Sequence, residues 1–235
     1  MIGLHFAKGI ATIRLDRPEA RNAMPHDAWR DLAATVARIP ADSRVVVIAS
    51  TSPGIFSAGA DLKELARLAD DVPARAAFRD AMRAGIEAVA ALPMPTVAAV
   101  EGGCFGAAVA LALACDLIVA GADARFAVPP AKLGIAYPAP DVARLTERVG
   151  QGAARRLLFT ADTIDAAEAL HIGLADLVDA PTAVAARIAA NDASSLALLK
   201  RMAADPRAPG HAAAFADSFG SPAFAAATTR YRATS

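Results

Sequence analysis

The sequence predicts an α/β fold with a helical C-terminal region. In the first half of the chain, short apolar runs alternate with segments whose apolar residues recur at helical spacing. From Asp141 onward the pattern is almost wholly helical and is interrupted mainly at glycine and proline. At 235 residues the chain is long enough for one domain with a large core, and it contains no internal repeat or long linker.

Five strands are predicted in the first half. Apolar and polar residues alternate within Gly9–Leu15, as they do in a half-buried strand. The unbroken apolar run within Arg44–Ser50 suits a parallel strand that is buried on both faces. The other predicted strands are Pro95–Val100, Leu117–Ala120 and Arg125–Val128.

The predicted helices have recognisable boundaries. The first lies between Pro25 and Pro40, where apolar residues follow at helical spacing. Asp61 can cap a short helix at Leu62–Leu68, because its carboxylate can accept from the first free N–H groups. Further helices are predicted over Val72–Leu92 and Ala107–Cys115, and Pro129–Pro140 is predicted to be a loop.

The composition argues against several classes of partner and location. With 24 basic and 24 acidic residues, the chain offers no electrostatic basis for binding nucleic acid or an anionic membrane surface. It has no signal-peptide pattern near its start and no apolar stretch of about 20 residues, the length that a membrane span needs. Cys104 and Cys115 lie in apolar surroundings, which predicts reduced core thiols in a cytoplasmic protein.

A glycine-rich turn in Glu101–Asp116 is the first candidate site. It links the Pro95–Val100 strand to the apolar helix that begins at Ala107, and glycines occupy positions 102, 103 and 106. A strand that turns on glycines into a helix directs the free N–H groups of the helix toward one point. Such a point can bind a phosphate, a carboxylate or a developing oxyanion.

Other glycine-loop sites fit this turn poorly. Its pattern is GGxxG instead of the GxGxxG of dinucleotide sites, and Asp123 falls in a turn instead of at the end of a second strand. The sequence has neither the Gly-Lys-Ser/Thr of a phosphate loop nor the GxSxG of a serine hydrolase. Its four histidines are scattered without the spacing of metal ligands, so no metal site is predicted.

A second candidate, Phe56–Leu65 (FSAGADLKEL), places a glycine among small residues before the acid that opens a helix. Small side chains there would let a substrate approach the main chain closely. With Arg17–Met24 (RPEARNAM), Val100–Ala108 (VEGGCFGAA) and Ala114–Ala120 (ACDLIVA), it resembles the crotonase family, also called the enoyl-CoA hydratase/isomerase family. The similarity extends to Leu157–Val178 and covers about residues 5–180.

The resemblance implies a crotonase-like spiral of ββα units that binds an acyl-CoA thioester. It implies that the main-chain N–H groups of Ala60 and Ala107 hold the thioester oxygen as an enolate forms. It also implies that CoA, as part of the substrate and not a separate cofactor, lies along Arg21, Ala23, Ser57, Ala58, Gly59, Ala60, Asp61, Leu62, Phe105 and Gly106. An acyl-CoA-binding core at 1–180 and a trimerisation region at 181–235 are expected, in a homotrimer or a dimer of trimers.

The sequence departs from the family at the catalytic acids. The two hydratase glutamates fall at Ala110 and Pro130, and the carboxylate of the isomerases falls at Pro138. None of these side chains can transfer a proton. The resemblance therefore implies an intact oxyanion site without the usual acid–base pair.

Tyr137 and Asp141 remain as candidate catalytic side chains, with Glu101 as a further possibility. Tyr137 falls where family decarboxylases acting on methylmalonyl-CoA carry a tyrosine, and decarboxylation needs no strong base. Alternatively, Tyr137 is a wall residue with a hydrogen-bonded hydroxyl, and Asp141 is a helix N-cap. Three hypotheses follow: an enoyl-CoA hydratase/isomerase-like enzyme, an acyl-CoA decarboxylase, and a CoA-binding protein without catalysis.

Overall fold

The structure is a computed structural model that describes residues 1–232, and it contains ten strands, ten α-helices and two short 3-10 helices at Pro18–Ala20 and Pro130–Leu133. The strands are β1 (Ile2–Ala7), β2 (Ile10–Leu15), β3 (Val45–Ser50), β4 (Ile55–Ser57), β5 (Thr96–Val100), β6 (Gly103–Phe105), β7 (Leu117–Ala120), β8 (Arg125–Ala127), β9 (Ile164–Asp165) and β10 (Leu177–Val178). The helices are α1 (His26–Val36), α2 (Leu62–Arg67), α3 (Val72–Ala90), α4 (Ala107–Leu113), α5 (Ala139–Thr160), α6 (Ala166–His171), α7 (Pro181–Ala189), α8 (Ala193–Ala204), α9 (His211–Ser218) and α10 (Pro222–Arg232).

The strands form two sheets. The larger has the order β1-β2-β3-β5-β7-β10, and the smaller has the order β4-β6-β8-β9. Three successive strand pairs, β3-β4, β5-β6 and β7-β8, each give their first strand to the large sheet and their second to the small sheet. A helix follows each pair, so the predicted spiral of ββα units is confirmed.

The large sheet is parallel except for the β1–β2 pair, and it is covered on both faces. On one face the main core includes Trp29, Ile48 and Phe56, which are fully buried. On the other face α7 packs on β3, β5 and β7 through Val184 and Ala185. This double coverage explains the unbroken apolar sequence of β3, which was predicted to be buried on both faces.

The five predicted strands are present, whereas β1, β10 and most of the small sheet were missed. The segment predicted as a glycine turn contains β6, and β4 lies in a segment for which no strand was predicted. Each of these two strands is three residues long, too short to produce a recognisable alternation, and each pairs with residues distant in sequence.

The helices after α7 have little contact with the body. Neither α8 nor α9 contains a buried residue. Lys200 ties α8 to the core through an ion pair with Asp116 at 2.7 Å. Phe215, Phe219 and Phe224 stack edge to face at 5.2 Å and remain substantially exposed. Although α7 lies beyond the predicted boundary at residue 180, it packs on the sheet; the boundary itself stays a prediction.

Cys104 and Cys115 are both free and buried, as predicted. Burial raises the pKa of Cys115 to about 12, and it raises the pKa of Cys104 as well. Over residues 1–232, no helix is both long and apolar enough to cross a membrane.

Candidate active site

A cavity of about 660 Å³ lies where the glycine-rich turn of Glu101–Asp116 meets the Phe56–Leu65 segment. Its wall combines parts of the 17–23 segment, the 58–65 segment, α3, the start of α4 and the 129–141 segment. Leu65, Phe78 and Met82 contribute apolar surface. Arg21, Lys63 and Lys132 add positive charge, and none of the three forms an ion pair with another residue that the structure describes.

Main-chain hydrogen bonds join two of the wall segments. The Ala58 N–H donates to the Arg21 carbonyl at 2.9 Å, and the Met24 N–H donates to the Gly59 carbonyl at 2.7 Å. The Asp61 N–H then donates to the Met24 carbonyl at 3.1 Å. Because successive peptide groups of an extended chain point to opposite sides, the Ala60 N–H is directed away from Met24. Ala60 lines the cavity, whereas Met24 is buried behind it.

The N–H groups of Ala60 and Ala107 are both unpaired within the part of the chain that the structure describes. Ala107 is the first residue of α4, where a main-chain N–H has no partner inside the helix. Gly106 precedes it at φ 56° and donates to the Ala127 carbonyl of β8 at 2.9 Å, which fixes the entry into the helix. Ala60 and Ala107 therefore bring two free donors to one cavity.

The two segments that carry the Ala60 and Ala107 N–H groups, called the donor segments below, come into contact at Gly59. A Cβ atom at this position would lie 2.3 Å from the Phe105 carbonyl oxygen and 2.9 Å from the Ala107 nitrogen. Gly59 also has a φ of +89°, which side chains rarely allow. Glycine at position 59 is thus required for both the local conformation and the close approach of the two segments.

The Asp61 side chain forms hydrogen bonds that fix the chain directly after Ala60. Its Oδ1 accepts from the N–H groups of Lys63 at 2.9 Å and Glu64 at 3.3 Å, which confirms the predicted helix cap. Its Oδ2 accepts from Arg17 Nη1 at 2.6 Å. The hydrogen bond from Arg17 is the main reason that the pKa of Asp61 is lowered. No local pattern in the sequence indicates this role for Arg17, because Asp61 lies 44 residues away.

Tyr137 lies in the cavity wall, and its hydroxyl donates to the Gly106 carbonyl at 3.0 Å. Burial raises the pKa of Tyr137 well above its usual value, and the nearby Asp141 charge adds to this effect. The hydroxyl is therefore a protonated hydrogen-bond donor at neutral pH. Both predicted features of the alternative interpretation are present: Tyr137 is a wall residue, and its hydroxyl is hydrogen-bonded.

The interpretation of Asp141 as a helix N-cap is wrong. Helix α5 begins at Ala139, so Asp141 is its third residue, and the N-cap is Pro138. Pro140 fits the first turn because an N–H there would have no helical partner. The Asp141 side chain is instead fully buried and accepts from Arg83 Nη2 at 2.7 Å. Sequence reasoning missed Arg83, which lies 58 residues away on α3.

Ala110, Pro130 and Pro138 occupy different positions relative to the cavity. Ala110 is buried within α4, whereas the two prolines line the cavity. None of the three side chains carries a group that can donate or accept a proton.

The residues predicted to contact CoA divide into two groups. Arg21, Ala23, Ala58, Ala60, Asp61, Leu62 and Gly106 line the cavity. Ser57, Gly59 and Phe105 are not part of its lining. The Ser57 hydroxyl donates to the Asn22 carbonyl at 2.7 Å and accepts from the Gly59 N–H at 3.1 Å, so it supports the donor segment from within. Contact of these ten residues with CoA stays a prediction.

Comparison with known proteins agrees with the resemblance to the enoyl-CoA hydratase/isomerase family. A family model described as enoyl-CoA hydratase/isomerase matches residues 5–229. A probable mitochondrial enoyl-CoA hydratase 2 from Arabidopsis thaliana is 37% identical over 172 residues, which are 72% of this chain and 56% of that protein. The chain thus spans little more than half the length of this curated relative.

Two crystal structures show the same fold. A putative enoyl-CoA hydratase/isomerase family protein from Hyphomonas neptunium has a TM-score of 0.86 and 36% identity, with 95% of this chain and 91% of that chain covered. An enoyl-CoA hydratase/carnithine racemase from Magnetospirillum magneticum has a TM-score of 0.90 and 30% identity, with 99% and 92% covered.

Replacement of Gly59 by alanine tests the contact between the donor segments. Gly59→Ala should lower the free energy of unfolding by about 2–5 kcal/mol, because the added Cβ must displace main-chain atoms and occupies a strained conformation. Gly54→Ala is the matched control: its φ is +70°, and an added Cβ would meet no atom within 4 Å. The control should lose only about 1–2 kcal/mol. Urea unfolding measures both values, and equal losses would contradict the close approach.

Proposed function

The chain belongs to the enoyl-CoA hydratase/isomerase family, and on that premise we propose that it binds an acyl-CoA and stabilises the enolate of its thioester. The observation that carries this proposal is that Ala60 and Ala107, in the wall of one cavity, each have a main-chain N–H without a partner in the part of the chain that the structure describes. Two such donors stabilise negative charge that develops on a carbonyl oxygen. The rigid contact at Gly59 holds the donors in place before the substrate binds.

The chemistry of the cavity is compatible with both parts of an acyl-CoA. Arg21, Lys63 and Lys132 could interact with the CoA phosphates, because they carry positive charge without an acidic partner among the residues described. Phe78 and Met82 offer apolar surface to an acyl chain. The proposal requires no cofactor, since CoA is part of the substrate, and the predicted cytoplasmic location stays a prediction.

We expect the reaction to differ from ordinary hydration. Hydration adds a water molecule across a double bond and needs groups that hold the water and transfer its protons. Under the proposed alignment with the family, Ala110 and Pro130 replace both glutamates that perform this work. The proposed oxyanion site can still stabilise an enolate without these glutamates.

Acyl-CoA decarboxylation is a second candidate function. It is favoured by Tyr137, whose protonated hydroxyl lies in the cavity wall next to the Gly106–Ala107 turn. Loss of carbon dioxide leaves an enolate that the same two donors would stabilise, and it needs no general base. Release of carbon dioxide from methylmalonyl-CoA would support this candidate against an isomerase-type reaction.

We also propose that the chain assembles as a homotrimer or a dimer of trimers. The absence of buried residues in α8 and α9, together with the exposed Phe215 and Phe219, supports burial of these helices against another subunit. Light scattering at micromolar concentration should give a multiple of three times the 24.0 kDa chain mass. A monomer would contradict the assembly without affecting the proposed chemistry.

Hydration of crotonyl-CoA should be slow or undetectable. General acid–base catalysis typically contributes about 10²–10⁴ in rate, and two such groups are replaced. The measurement is the loss of absorbance of the enoyl thioester, with an ordinary hydratase of the family as a positive control. Turnover within about tenfold of that hydratase would contradict the expectation, since such a gap is smaller than the effect of one lost group.

Removal of one donor tests the oxyanion site. Ala107→Pro replaces the N–H at the first helical position, where proline is compatible with the fold, and it should lower turnover by about 10²–10³. Ala107→Gly is the matched control and should have a mild effect, because it keeps the N–H. Titration calorimetry with a thioester enolate mimic and a thermal melt accompany the rate measurements. Equal binding of the mimic by the wild type and a folded Ala107→Pro protein would eliminate this site.

A further inference from the structure

Asp141 has one carboxylate oxygen that the fold leaves unused. Its side chain is 0% exposed, and the residue forms part of the cavity wall. Oδ1 accepts from Arg83 Nη2 at 2.7 Å. Oδ2 has no hydrogen-bond partner among the residues that the structure describes. An unpaired oxygen of a buried carboxylate is unfavourable and calls for an explanation, such as a ligand that the site receives.

The surrounding charges hold Asp141 in place without using Oδ2. Glu87 engages both nearby arginines: it accepts from Arg83 Nη1 at 2.7 Å and from Arg144 Nη2 at 3.1 Å. Arg144 Nη1 lies 4.0 Å from Asp141 Oδ1, which is too far for a hydrogen bond. Asp141 is therefore fixed at one oxygen by Arg83, while the other oxygen has no partner among the described residues and has almost no exposed surface before a ligand binds.

We propose that Asp141 is the general base of this site, in place of the carboxylates absent at positions 110, 130 and 138. This inference rests on the proposed binding of an acyl-CoA. Asp141 lies at the N-terminal end of α5, which packs against α4, the helix that presents the Ala107 N–H. A carboxylate in the cavity wall that is fixed at one oxygen and unpaired at the other can accept a proton at the unpaired oxygen once a bound substrate reaches it.

The proposed step is transfer of a proton from the thioester α-carbon to Asp141 Oδ2. The electron pair of the broken C–H bond forms a double bond to the thioester carbon, and the carbonyl π pair moves onto the oxygen that faces Ala60 and Ala107. Return of the proton to the α-carbon regenerates the thioester. With an unsaturated acyl chain, return to a different carbon of the extended enolate moves the double bond, so a single base suffices for isomerisation without any co-reactant.

Exchange of the α-protons of butyryl-CoA in D₂O tests the assignment directly. The wild type should exchange these protons for deuterium, as followed by NMR. Asp141→Asn should lower the exchange rate by about 10²-fold or more while calorimetry still detects binding of butyryl-CoA. Glu87→Gln is the matched variant: it removes a negative charge from the same arginines but contributes no atom to the cavity wall, so its exchange should stay within about tenfold of the wild type.

The possible outcomes separate this assignment from the proposed function. Exchange by Asp141→Asn within about tenfold of the wild type would overturn the role of Asp141, and so would equal losses in Asp141→Asn and Glu87→Gln. If Asp141→Asn does not fold, Asp141→Ala with added formate replaces it; a rate that rises with formate supports the role, and a rate that does not rise overturns it. Failure of the wild type to bind butyryl-CoA or acetyl-CoA would overturn the proposed function itself.

Discussion

The contact of Gly59 with the Gly106–Ala107 turn is the constraint on which the site depends. The two segments come so close that a single added carbon at position 59 would lie within 2.3 Å of a main-chain oxygen. The segment that contains Gly59 is held by main-chain hydrogen bonds to Arg21 and Met24. The Gly106–Ala107 turn is held by a main-chain hydrogen bond from Gly106 to β8. The spiral of strand pairs brings these segments together, and each contributes to the cavity one N–H that has no partner within residues 1–232.

The proposed site separates charge stabilisation from proton transfer. The donors at Ala60 and Ala107 belong to the main chain, so they persist when side chains change. Proton transfer depends on side chains, and under the proposed alignment Ala110 and Pro130 stand where the family carries its glutamates. The buried carboxylate of Asp141, fixed by an arginine from α3, offers a different way to supply a base within the same fold.

Four strands of the large sheet could be predicted, because β2 alternates apolar and polar residues and β3, β5 and β7 are apolar runs, whereas β1 and the two-residue β10 were missed. The small sheet was largely missed, since β4 and β6 are three residues long and pair only with distant strands. The donor positions followed from the glycine turn and the resemblance. The ion pairs of Asp61 with Arg17 and of Asp141 with Arg83 could not be predicted, because they join residues 44 and 58 positions apart. The helix boundary near Asp141 was misjudged because proline was treated as a loop residue, although it is also favourable in the first turn of a helix.

A crystal structure of the protein with bound acetyl-CoA is the most direct test of the central claim. The account predicts that the thioester oxygen lies about 3 Å from the main-chain nitrogens of both Ala60 and Ala107. A thioester bound in this cavity with its oxygen directed away from both nitrogens, or bound elsewhere on the protein, would contradict the account.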